Sequence, residues 1–228
     1  MKNKNDYSDI TEENSFIKLY ILCRKMPLSP FSIVTFWITA IIITASYLHS
    51  PRKEIKLLLE LLHTDSINIV SWSMTITGFV IAGYAIHATL ADKKMLMRMH
   101  TVQDHRHGMS YLKSINGVYI KICIDLIIST IAIFLISNKV LLEVIFPLDQ
   151  ISGSERLYHL LISMFIGIVN ALFVLQLVLA LSFIYNMHHS VMTAVRWYAM
   201  NNTCPNKDLR TLKFRRKNIQ DTADKNRT

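Results

Sequence analysis

The sequence predicts an all-α integral membrane protein that crosses a bilayer four times and keeps both termini in the cytoplasm. Three observations carry this expectation. Apolar residues make up 51% of the 228 positions and charged residues only 18%, a balance hard to reconcile with a soluble domain. The apolar residues gather in four stretches, 31–49, 67–91, 115–137 and 160–187, each long enough to cross roughly 30 Å of hydrocarbon at about 1.5 Å per helical residue. Of the 25 Lys and Arg residues, 19 fall before the first stretch, between the second and third, or after the fourth, 5 fall in the other two connections, and Lys121 lies inside a stretch. Basic residues are retained on the cytoplasmic side of a membrane, and an even number of spans puts both ends there.

The lead, residues 1–30, carries Asp6, Asp9, Glu12 and Glu13 before any apolar run, which predicts an uncleaved anchor rather than a signal peptide. Within it, Ser15 to Met26 reads as a short interfacial helix with Phe16, Ile17, Tyr20 and Ile21 on one face. The membrane domain follows over 31–187. Its first, second and fourth stretches contain no formal charge, and runs such as Leu172 to Leu181 lack the polar face that a helix of a soluble bundle shows every three or four residues. Ile55 to Leu62 is too short to span and is expected as a surface helix outside the membrane. Val140 to Phe146 either prolongs the third span or folds back at the interface, and Pro147 ends it.

A basic tail, 188–228, completes the chain. Apolar residues thin out beyond Pro205, and Lys213, Arg215, Arg216 and Lys217 form a cationic surface cluster. With only Phe214 among these charges, lipid headgroups are better matched to the cluster than single-stranded nucleic acid, which wants stacked aromatics. Cys23 and Cys204 fall on the expected cytoplasmic side and Cys123 lies in the third span, so no disulfide framework is implied.

Few residues inside the spans invite a mechanism. Lys121 and Asp125 share a face of the third helix; they either line a polar pore or form a shallow pair that snorkels to the headgroups. Asn170 and Gln176 in the fourth span can bond neighbouring helices or line a wet path. Small residues at intervals of four, Ser163, Gly167 and Ala171 in the fourth span and Gly78 and Ala82 in the second, allow close backbone approach, either within one molecule or between copies of a homo-oligomer. His100, Asp104, His105 and His107 cluster in the second connection, but His105 and His107 lack the helical spacing of ligand pairs, and no metal or other cofactor is expected. The sequence has no CxxC, GxSxG, HExxH or glycine-rich phosphate loop, so no enzyme is expected.

The stretch Thr75 to Leu96, TITGFVIAGYAIHATLADKKML, is a glycine-containing span that runs into a short Asp-Lys-Lys step. Together with the short lead, brief loops and basic tail, it resembles the transmembrane effectors encoded beside retron reverse transcriptases in bacterial antiphage defence. Those effectors are often described with two spans, whereas this chain has four. The resemblance implies abortive infection: a reverse transcriptase, its non-coding RNA and the reverse-transcribed DNA restrain a toxic partner, and phage interference with a host recombination nuclease releases it to disrupt the inner membrane. The four-span membrane subunit of the Kiwa defence system offers a second likeness, and implies a sensor or scaffold that does little alone; a small housekeeping channel or transporter subunit is the remaining alternative, against which the absence of inverted repeats weighs.

Overall fold

The computed structural model describes residues 16–24, 29–49, 55–90, 92–104, 108–146 and 155–203. In chain order they form α1 (Phe16–Arg24), α2 (Pro30–His49), α3 (Ile55–Leu90), α4 (Lys93–Thr101), β1 (Gln103–Asp104), β2 (Met109–Ser110), α5 (Tyr111–Ser137), α6 (Lys139–Ile145) and α7 (Glu155–Thr203). The helices α2, α3, α5 and α7 are each long and apolar enough to cross a membrane, and they fit a multi-pass transmembrane protein. Large apolar side chains face outward along them: Phe31 is 69% exposed, Ile41 65%, Phe79 66% and Leu181 65%. Such a belt is the surface a bilayer covers, and helices are the form in which a single segment can satisfy its own backbone there.

Two of the helices run further than the sequence suggests. The expected surface helix Ile55–Leu62 is instead the first part of α3, which continues unbroken to Leu90. No glycine or proline interrupts 55–77, and Leu58, Leu59 and Leu62 are buried with Leu142, Phe146, Ile162 and Ile166 rather than resting on lipid or a neighbouring molecule. Likewise α7 extends past the expected end of the fourth span to Thr203, a length of about 74 Å. Residues 188–203 therefore belong to this helix, and the tail's change of character coincides with Pro205, just beyond it.

After α5 the chain does not prolong the helix but folds back. Asn138 breaks it and caps α6, its side-chain oxygen accepting from the backbone N–H of Val140 at 3.0 Å and of Leu141 at 3.3 Å. Leu142 and Phe146 then fold back against α3 and α7. His63 of α3 closes this end by donating from Nδ1 to the Ser137 carbonyl at 2.7 Å, one of the carbonyls that the end of α5 leaves without a helical partner.

At the opposite end, Asp92 caps α4 by accepting the Lys94 N–H at 2.9 Å, and Met95 and Met99 turn inward. The hairpin β1–β2 pairs Gln103 with Ser110 and Asp104 with Met109. Among the described residues Gly108 is left-handed, at φ +66°. Ser110 caps α5, and the Ser114 hydroxyl donates to Asp104 at 2.7 Å.

The bundle is held by α7, which packs against α2, α3 and α5. Ser163, Gly167 and Ala171 are buried, and at Gly167 α2 comes so close that an added Cβ would lie 2.8 Å from the Ala40 carbonyl oxygen and collide with the Thr44 hydroxyl. Gly78 on α3 is the opposite case, exposed and with nothing within 4 Å of such a Cβ. Gly167→Ala is therefore expected to cost about 1–3 kcal/mol through overpacking, whereas Gly78→Ala gains up to about 1 kcal/mol of helix propensity. Thermal unfolding of the two variants in detergent checks the contrast, and equal shifts would contradict it.

Candidate functional site

A polar layer crosses the middle of the bundle between two apolar clusters. Gln176 of α7 is fully buried, and its Nε2 donates to Ser129 Oγ at 2.8 Å and Thr130 Oγ1 at 3.2 Å, both on α5. Each of those hydroxyls in turn donates to the Leu126 carbonyl, at 3.0 and 2.8 Å. With the Thr130 proton so committed, Thr77 of α3 is the donor in its 3.5 Å contact with Thr130. Three helices thus meet on one hydrogen-bonded node, and among the described residues the Gln176 Oε1 has no partner.

The node is closed at both ends. On the α6 side stand Ile133, Ile162, Ile166 and Val169; on the α4 side stand Val80, Leu126, Leu179 and Phe183. Gln176 accordingly acts here as an interhelical tie within one molecule; on α3 the buried Ser73 and Ser66 hydroxyls, which have no hydrogen-bond partner among the described residues, follow Thr77 toward the α6 end. Asn170 turns back on its own helix, donating to the Ile166 carbonyl at 3.0 Å, and does not join it.

Lys121 and Asp125 form an ion pair at 2.9 Å on α5, both side chains mostly buried. They lie on a different flank from the Leu126, Ser129 and Ile133 stripe that meets the core. The helix α1 packs on α5 with Cys23 near both charges. Burial pushes the Cys23 thiol above its ordinary value; Lys121 opposes the rise and Asp125 adds to it. The thiol is therefore protonated at neutral pH, without the thiolate that reactive cysteines need. The four polar candidates named from the sequence lie apart within one chain: Gln176 sits in the core, the Lys121–Asp125 pair beside α1, and Asn170 on its own helix.

The small-residue faces also separate. Ser163, Gly167 and Ala171 are spent on packing inside the molecule, while Gly78 and Ala82 are exposed on α3. The cluster Lys213, Arg215, Arg216 and Lys217, along with His105 and His107, lies outside the described residues.

Sequence reasoning missed a groove of about 540 Å³ at the α4 end, bounded by His87 of α3, Asp92 and Met95, and Val191, Ala194 and Trp197 of α7. Its floor is tied by His87 Nε2 and Ser190 Oγ, 3.2 Å apart, and the His87 ring lies 5.3 Å from that of Tyr119. The Arg98 guanidinium sits 4.9 Å over the Trp197 ring. The sequence carried no local signal for it, because the groove exists only where α7 runs on past its expected end to Val191, Ala194 and Trp197. No protein-family model, curated protein or solved structure matches the chain.

If Gln176 is a tie and not the lining of a path, its volume matters more than its amide. Gln176→Leu is expected to change stability by less than about 1 kcal/mol, because interhelical bonds within membranes are individually weak and the variant also removes the orphaned oxygen. Gln176→Ala opens a cavity and is expected to cost about 2–5 kcal/mol. Unfolding in detergent compares them, and a Leu variant worse than the Ala variant would show that the amide is what holds the layer.

Proposed function

We propose that this chain is a four-span protein of the bacterial inner membrane with both ends in the cytoplasm, and that it is the membrane effector of an antiphage defence system of the retron kind. The orientation rests on the Lys and Arg asymmetry. The role rests on the resemblance of Thr75 to Leu96 and of the general plan to such effectors. One structural observation supports it most: the single molecule is packed shut around Gln176, Ser129 and Thr130. A chain inert as a monomer and harmful on self-association is the kind of toxin that a cell can hold in reserve.

In this reading, release from its partners lets several copies gather, with the exposed Gly78 and Ala82 face of α3 free for the contact. Lys121, Asp125 and Asn170 would then offer polar groups to a seam between chains. Ions running down their gradients depolarise the membrane before phage progeny mature. The restraining partners are a reverse transcriptase with its non-coding RNA and DNA, and the membrane lipids are the target.

A second reading, a non-toxic sensor or scaffold, is favoured by the helical platform that α4 and the far end of α7 build at one end of the bundle. Membrane integrity separates the two. In bacteria expressing the chain from a tight promoter, dye entry and loss of potential-sensitive fluorescence are expected with the chain alone and are suppressed by its native neighbouring genes. Intact membranes in both uninfected and phage-challenged cells would contradict the effector reading and favour the scaffold.

A further inference from the structure

We infer that the groove between α3, α4 and α7 is a binding site for one acyl chain of an anionic phospholipid, whose headgroup phosphate is held by Lys93, Lys94 and Arg98. The inference rests on the four-span reading and on this end of the bundle lying at the cytoplasmic leaflet.

The groove's volume of about 540 Å³ lies within the range of small-molecule sites, and its walls are almost wholly apolar. It opens sideways onto the belt that lipid covers: Ile86, Val191, Val195 and Tyr198 are all exposed there. A soluble partner would have to leave water to reach it, whereas an acyl chain is already present. The two polar side chains nearest the slot, His87 and Ser190, are hydrogen-bonded to each other, and the Tyr119 hydroxyl behind them, unpartnered among the described residues, is buried, so the lining itself is mostly apolar.

The rim specifies the headgroup. Trp197 and Tyr198 are the residue types that sit at headgroup depth. Arg98 holds its charge over Trp197 at 4.9 Å, and Lys93 and Lys94 are exposed in the first turn of α4. Asp92 is the one acid on the lining, and its carboxylate already accepts the Lys94 N–H as a helix cap. Arg98 at the rim, with Lys94 one turn before it and Lys93 at the start of the same helix, brings positive charge to the end of an apolar slot, which suits a lipid phosphate above its own acyl chain.

The full chain carrying Trp37→Phe and Trp72→Phe keeps Trp197 as its one tryptophan and reports on the groove. Reconstituted in phosphatidylcholine vesicles, it is titrated with lipids bearing brominated acyl chains, which quench by contact. Half-quenching is expected at about a tenfold lower fraction of brominated phosphatidylglycerol than of brominated phosphatidylcholine, a preference of about 1.4 kcal/mol. The Lys93→Gln, Lys94→Gln, Arg98→Gln variant should abolish the preference while quenching by phosphatidylcholine persists, and Ala194→Phe, which fills the slot, should abolish it too.

Equal quenching by the two lipids overturns the site and leaves the four-span reading standing. So does a preference that survives either variant, or a Trp197 shielded from both lipids by a peptide segment or a second copy. A chain that fails to float with the vesicles overturns the site and the membrane reading together.

Discussion

The close crossing of α2 over Gly167 of α7 is the contact on which the rest of the bundle depends. Apolar side chains gain nothing by leaving lipid for one another, so helices in a membrane associate through tight packing and a few hydrogen bonds. The second helix shows how narrow that margin is. Its Ser32 and Ala40 are buried while most of its bulk faces outward, and its extensive contacts among the described residues are with α7. Because Gly167 lacks a side chain, Thr44 can reach the Ser163 carbonyl at 3.5 Å. The same helix presents Phe183 to Gly83 of α3 and Gln176 to α5, so α7 is the spine against which the other spans are registered.

The polar layer gives this packing a direction. Gln176, Ser129, Thr130 and Thr77 can bond only when α3, α5 and α7 are at one mutual height, and a slip of one turn would leave an amide in hydrocarbon. The apolar clusters above and below then exclude solvent. With the layer tied inside one molecule and flanked by apolar clusters, the proposed effector role is assigned to an assembly. The Lys121–Asp125 pair is satisfied within its own helix, with Cys23 of α1 near both charges.

Much of the fold was legible in the sequence because hydropathy and length are properties of single segments. The stretch 31–49 is α2 almost to the residue, and 115–137 ends where Asn138 breaks α5. Segment reading failed where burial depends on a distant partner. Ile55 to Leu62 looked like an interfacial helix because nothing local reveals that Leu142, Phe146 and Ile162 will cover it. The far end of α7 looked like a polar tail because its groove partner, α4, lies about a hundred residues earlier. The small-residue spacing in α3 and α7 was equally regular, and only the neighbours separate the buried Gly167 from the open Gly78. The Lys121–Asp125 pair was read correctly as intrahelical, because an i, i+4 spacing is local chemistry.

The central claim, a sealed monomer that opens the membrane only in company, is tested most directly by ion flux from vesicles reconstituted at graded protein-to-lipid ratios. Vesicles holding a single copy are expected to keep their gradient, and vesicles holding several to lose it. Flux from single-copy vesicles would contradict the sealed bundle, and retention of the gradient at every density would contradict the effector role.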